Sequence, residues 1–139
     1  MNKYKNKKVE CDGIVFDSIA EMNRYCELKL LQRGGIIKDL QLQPTFILQD
    51  KFTKNGVTYR AIKYKADFMY QENGKTIVED VKGFKTKEFL IKQKLFEAKY
   101  KNLTLKLIKW GGIFHAKKVH KLYIFYNLQR FKRKNRKLR

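Results

Sequence analysis

Two aspartates and a lysine carry the sharpest chemical pattern in this sequence. Asp67 and Asp80 have twelve residues between them, and Asn73-Gly74 falls midway. Asn-Gly is a strong signal for a tight hairpin, because both central residues of a type I′ turn need φ > 0. With a two-residue turn there, Glu72 faces Lys75, Tyr70 faces Ile77 and Asp67 faces Asp80. Val78, Asp80 and Lys82 then share one face of the returning strand, with Lys82 opposite Lys65. Directly opposed residues have Cβ atoms about 4.5–5.5 Å apart, and like charges there are destabilising. A positive charge between the carboxylates removes that repulsion. A hard divalent cation such as Mg²⁺ takes carboxylate oxygens and keeps several waters. Held there, it would activate a water and bind a phosphate oxygen. Lys82 would orient the water or offset charge on a pentavalent phosphorus. Phosphodiester hydrolysis uses all of these parts. The plain alternative is a solvated hairpin surface, but strands are depleted in Asp, and here two lie opposite each other beside a lysine. Glu79 competes with Asp80 for the second position. Strand alternation sends it to the other face with Ile77 and Val81, and a bulge would reverse the choice.

The flanking elements must hold this hairpin in place. Ser18 fits a helix N-cap with Glu21 three residues on, and Met22, Tyr25, Cys26, Leu28 and Leu31 make an apolar stripe to about Arg33. Gly34-Gly35 stops that helix. Extended chain follows, with Pro44 marking an edge, bend or bulge. Gln43, just before it, is read equally as a cleft residue or as a solvated edge. Asn55-Gly56 is a second Asn-Gly hairpin turn, and residues 59–71 read as one strand leading to Asn73-Gly74. Thr86 caps a second helix to about Lys101, with Phe89, Leu90, Gln93, Phe96 and Tyr100 toward its buried side. Leu103, Leu105 and Leu107 alternate along a last strand. The order helix, three or more strands, helix, strand predicts an α/β fold with a mixed sheet.

Composition bounds the partners. The chain has 139 residues, 43% of them hydrophobic, enough for one packed domain, and a formal net charge of +20. That charge repels itself unless a polyanion neutralises it, which makes nucleic acid the first candidate partner and an anionic membrane surface the second. No apolar run approaches 18 residues and the start, MNKYKNKK, lacks the apolar core of a signal peptide, so a cytoplasmic location is expected. Cys11 and Cys26 are too few for a disulfide framework or zinc site and are read as reduced. Residues 1–9 read as a basic arm. Residues 111–139 form a basic extension, read as a helix around Val119, Leu122, Tyr123 and Tyr126 that ends in a basic tail. His115 and His120 lack carboxylates at metal spacing and read as surface residues. Trp110 and the tail aromatics read as core or dimer contacts.

Taken together, the SIAEMNRY helix, LQPTF, ADF and DVKG occur in an order that resembles the PD-(D/E)XK nuclease superfamily. Together these pieces resemble a phage-encoded branch related to Holliday-junction resolvases and transposase-type endonucleases. The resemblance covers about residues 8–110 and implies a restriction-endonuclease-like αβββαβ core. By that resemblance Asp67 matches the central metal-binding Asp, Asp80 and Lys82 match the (D/E)-x-K pair, and Glu21 matches the helix Glu, which binds metal directly or through water. Ala66 stands where the family pattern has Pro. Glu21 also has its plain capping role. The implied activity is Mg²⁺-dependent DNA cleavage, with Mn²⁺ able to substitute. The implied substrate is branched or four-way DNA in phage recombination, replication or packaging. Two symmetric nicks imply a homodimer. Lys85, Lys87 and Lys92 near the second helix, and Lys132, Arg133, Lys134 and Arg136 in the tail, are expected DNA contacts, although a charge run is also simply solvated.

A non-catalytic DNA-binding or architectural protein on the same scaffold explains the charge equally well. It gives no reason for carboxylates that repel phosphate. A sequence-specific restriction or nicking enzyme is the third reading, and no recognition domain is visible for it. Residues 132–139 carry six Lys or Arg. Deleting them should lower the log–log salt slope of duplex binding by roughly 0.9 for each phosphate they neutralise. An unchanged slope in fluorescence-anisotropy titrations would show that the tail does not touch DNA.

Overall fold

Turn residues punctuate the first elements. We describe a computed structural model, in which residues 8–82 and 84–109 are the described residues. Asp12-Gly13, both at positive φ, close a short hairpin of β1 (Val9–Cys11) and β2 (Ile14–Phe16). Ser18 is the N-cap of α1 (Ile19–Arg33), its hydroxyl oxygen accepting the Glu21 N–H at 3.2 Å. The helix ends as its glycines dictate. Gly35 takes the left-handed φ of +73°, and the N–H groups of Gly35 and Ile36 donate back to Gln32 and Leu31 at 3.0 and 2.9 Å. This is a Schellman closure, which satisfies carbonyls the helix leaves unpaired. Tyr25 and Leu28 are buried, and so is the ion pair of Arg24 with Glu27 at 2.5 Å, which the apolar stripe does not announce. Cys11 and Cys26 are free thiols with sulfurs 3.8 Å apart, and burial pushes the Cys26 thiol up.

The described chain falls into two compact units. The elements up to Ile37 belong to one and Lys38–Lys109 form the other. The second unit contains β3 (Ile37–Leu42, bar its first residue), β4 (Thr45–Gln49), β5 (Phe52–Lys54), β6 (Val57–Tyr59), β7 (Ile62–Lys65), β8 (Phe68–Glu72), β9 (Lys75–Val81), α2 (Lys87–Lys99) and β10 (Thr104–Ile108). Its main sheet has the order β10-β9-β8-β3. β9 is antiparallel to β8 and parallel to β10, so the fold is α/β with a mixed sheet. Asn73-Gly74 makes the expected turn, and Glu72 pairs with Lys75 and Tyr70 with Ile77.

The expected single strand over 59–71 is three. β7 pairs with β4, whereas β8 pairs with β9 and β3. The chain therefore changes partners at Ala66-Asp67. One expectation fails for this reason: Lys65 pairs with Thr45, not with Lys82. On one face of the unit Phe46, Leu48, Tyr64, Ala66, Val78, Phe89 and Phe96 form a core, with Leu103, Leu105 and Leu107 packed against it. Thr86 caps α2 by accepting the Phe89 N–H at 3.1 Å, which starts the helix where Phe89 and Phe96 both reach that core. Leu90 is a correction. It is 43% exposed, one residue round the helix from the buried stripe. The tail helix, Trp110, His115, His120 and residues 1–7 of the expected basic arm lie outside the described residues, and Val9, expected in that arm, instead opens β1.

Phe96→Ala should cost about 3–5 kcal/mol in urea unfolding, as for a buried phenylalanine whose space cannot refill. Leu90→Ala should stay within about 0.5 kcal/mol. Equal losses would refute this helix phase.

Candidate active site

Asp67 sits at the point where the ribbon changes partners. Its N–H donates to the Glu79 carbonyl at 3.1 Å, and its own carbonyl accepts the Gln43 N–H at 2.8 Å. Ala66 N–H donates to the Pro44 carbonyl at 3.0 Å. Gln43 reaches this arrangement at a φ of +51°, in the left-handed region and directly before a proline. Both features oppose ordinary backbone preference, and such a residue stores on the order of 1–3 kcal/mol. Gln43 thus acts on the site through its backbone, while its side chain is exposed.

The regular β8–β9 pairing ends with Phe68 opposite Glu79, and the expected Asp67–Asp80 pair is not part of that ladder. The Asp67 carboxylate crosses to the neighbouring strand, where Oδ2 accepts the Val81 N–H at 2.6 Å. Asp80 is 0% exposed. Its Oδ2 accepts the Tyr64 hydroxyl at 2.5 Å. Its Oδ1 lies 3.0 Å from the Lys82 ammonium, an ion pair not aligned as a hydrogen bond, so this buried oxygen keeps an unfilled acceptor position. Lys82 is partly exposed, and its ammonium also lies 5.3 Å from the centre of the Phe89 ring. Burial first, then the Asp80 hydrogen bond and the charges of Asp80 and Asp67, push the Tyr64 hydroxyl far above the usual tyrosine range. Tyr64 therefore stays a proton donor to Asp80 at any working pH.

The neighbouring acid is elsewhere. Glu79 is 0% exposed on the reverse face, where its Oε2 accepts the Tyr70 hydroxyl at 2.8 Å. Glu21 stands in the first unit, where it also receives the Ser18 hydroxyl on Oε1 at 3.2 Å. Among the described residues no group of three or more His, Cys, Asp and Glu gathers as a metal cluster. The donor set here is two carboxylates. Two hard oxygen donors, one with an unfilled acceptor position, suit Mg²⁺ or Mn²⁺, which complete their coordination with water.

Beside Lys82 opens a pocket of about 540 Å³, lined by Lys82, Phe84, Lys85, Leu107, Ile108 and Lys109. Three of these lining residues are lysines, and none of the described lining residues is acidic. It lies at the carboxyl ends of the parallel strands β9 and β10, where open α/β sheets bind ligands. Lys92 is occupied differently, pairing with Glu88 at 2.8 Å and holding that carboxyl below its usual range. Lys87 is exposed. Lys132, Arg133, Lys134 and Arg136 lie outside the described residues.

A family model described as "Protein of unknown function (DUF1064)" matches residues 1–123. The chain belongs to that family. A search of curated proteins finds no match. The DUF1064 match spans all the described residues, so Tyr64, Asp67, Asp80, Lys82 and the lysine pocket all fall within it. Sequence reasoning on this DUF1064 chain passes over Tyr64. A tyrosine alternating with Ile62 and Ala66 in a strand reads as core, and its ring is core; only the partner change at Asp67 aims its hydroxyl at Asp80.

Tyr64→Phe leaves the buried Asp80 carboxylate short of a donor. It should cost about 1–3 kcal/mol in urea unfolding at neutral pH. In a double-mutant cycle with Asp80→Asn the two changes should couple by at least about 0.5 kcal/mol. Additive effects would show that the hydroxyl does not support Asp80.

Proposed function

We propose that this protein is a metal-dependent DNA endonuclease with a restriction-endonuclease-like core, as in the PD-(D/E)XK superfamily. The observation that carries the reading is a buried Asp80 joined to Lys82 in a D-x-K strand, with Asp67 beside it at a break in the neighbouring strand. A merely structural hairpin has little reason to bury an aspartate against a lysine two residues away.

Each residue has a task. Asp67 and Asp80 would hold Mg²⁺ or Mn²⁺, which supplies an activated water and neutralises phosphate charge when bound. The Val81 N–H fixes one Asp67 oxygen and Tyr64 fixes one Asp80 oxygen, so both carboxylates are held in a set orientation. Lys82 moves its ammonium from Asp80 Oδ1 toward the scissile phosphate, where it offsets negative charge as that phosphate becomes pentavalent. Lys85 and Lys109 hold the adjoining phosphate in the basic pocket. Glu21 is proposed as a further acidic participant on the family resemblance alone. The net charge of +20 supports a polyanionic substrate. Branched or four-way DNA cut by a homodimer is the specific form proposed, and it rests on the resemblance. No helix among the described residues is long and apolar enough to cross a membrane.

Labelled four-way junction, flap, duplex and single strand, each with and without Mg²⁺, test the reading. Asp67→Asn and Asp80→Asn should abolish cleavage while DNA binding is kept or tightened, and Glu79→Gln should lose much less. Lys82→Ala should lower the cleavage rate by about 10²–10³ with little change in affinity. Full activity in both aspartate variants would sink the assignment, and no cleavage of any substrate by the wild type would favour a DNA-binding protein without catalysis.

A further inference from the structure

The ribbon that carries Asp67 runs on, away from the site, into a tip with an unusual surface. β5 and β6 pair antiparallel around Asn55-Gly56, with Phe52 opposite Tyr59 and Lys54 opposite Val57. Every residue from Lys51 to Arg60 is exposed. Phe52 and Tyr59 nevertheless stack, with ring centres 4.7 Å apart and planes within 9°. They remain 41% and 47% exposed, and Val57 53%. Lys54, two residues from Phe52, shares their face. Residues 51–60 contain Lys51, Lys54 and Arg60 and no acidic residue.

A cross-strand aromatic pair stabilises a hairpin, and that role alone explains why the rings touch. It does not explain why a two-stranded ribbon, marginal by itself in water, leaves both rings open, with only positive charge among residues 51–60 and the adjoining Asp50 paired with Lys99 at 3.4 Å. We propose that this tip is a nucleic-acid contact, in which the Phe52–Tyr59 stack receives an unpaired base and Lys54 and its basic neighbours hold the flanking phosphates. Charge decides the class of partner: residues 51–60 carry three positive side chains and no carboxylate, and the carboxylate of the adjoining Asp50 is paired with Lys99. Ring geometry decides the form. Bases in a duplex hide their faces in their own stack, whereas an unpaired base offers a face that continues a parallel aromatic pair. The ribbon face also lacks the Asn, Gln and Arg pattern that reads base edges in a major groove.

The placement gives the contact a reach. Tyr59 and Asp67 are eight residues apart along the ribbon. Extended backbone therefore limits their separation to about 26 Å, less than the roughly 34 Å of one duplex turn. An unpaired base on the tip would lie within one turn of the phosphate at Asp67. This link to Asp67 rests on the nuclease reading; the contact itself does not.

Binding is measured in EDTA, so that it is independent of cleavage, by anisotropy of a dye-labelled fork with single-stranded arms and of a blunt duplex of equal length. The Phe52→Leu/Tyr59→Leu variant keeps an apolar pair and removes the ring faces. It should weaken fork binding by at least about fivefold and leave duplex binding within about twofold. The Phe52→Trp/Tyr59→Trp variant should keep or raise fork affinity. Unchanged fork affinity in the leucine variant overturns the proposal, and so does an equal loss on fork and duplex, which would make the ribbon a duplex reader. If thermal melting shows the leucine variant unfolded, the tryptophan variant decides, and weaker fork binding by it overturns the proposal. Failure of the nuclease reading in the Asp67→Asn and Asp80→Asn assays leaves these binding outcomes untouched.

Discussion

Burying the Asp80 carboxylate is the constraint on which the rest of this unit depends. A carboxylate taken fully out of water is tolerated only with compensating partners. Here they are a tyrosine on β7, whose hydroxyl donates to one oxygen, and Lys82 just past the end of β9, whose ammonium pairs with the other. The Tyr64 ring packs with Phe46, Phe89 and Phe96 in the core, with Phe96 edge-on at 5.6 Å, so the hydroxyl is aimed by apolar packing. The polar centre and the hydrophobic core are one construction. Small losses of packing around Tyr64 would be felt as electrostatics at Asp80.

The second constraint is the change of partners at Asp67. A continuous β7–β8 strand would keep Asp67 in a regular ladder with its side chain at a fixed alternation. The break frees the carboxylate to reach the Val81 N–H. Its cost is a left-handed Gln43 before Pro44, and its support is the exchange of backbone hydrogen bonds among Gln43, Pro44, Ala66 and Asp67. Backbone strain beside the most chemically suggestive residues of a chain is a recurring association, and here the inference runs from the observed outlier to the site.

What can be read from the sequence follows from local rules. Ser18 and Thr86 mark both helix starts because capping is a contact between near neighbours, and Asn73-Gly74 fixes the β8–β9 register because a two-residue turn leaves no slack. Once that register holds, Lys82 on the Asp80 face needs no tertiary information. The failures share a cause. Alternation sets Lys65 against Lys82, and residues 59–71 in one strand, because it cannot reveal the long-range pairing with β4. The apolar stripe draws Leu90 inward, yet a helix position at the margin of such a stripe is decided by what packs on it. Tyr64, and the buried Arg24–Glu27 pair, escape notice because their polar atoms are defined by partners, not by pattern.

The parallel pairing of β9 with β10 has a consequence for how the molecule is made. The β5–β6 and β8–β9 hairpins need only near-neighbour contacts and can form on the microsecond timescale of hairpins. A parallel strand must wait for its crossover, here α2, to fold and return the chain. Lys82 donates its N–H to the Ile108 carbonyl at 2.9 Å, so the end of β9 is tied down only when β10 arrives. During synthesis the emerging chain therefore holds both carboxylates well before it holds their lysine in place. The charge-bearing end of the site is a late event in biogenesis, completed after residue 108 has cleared the ribosome.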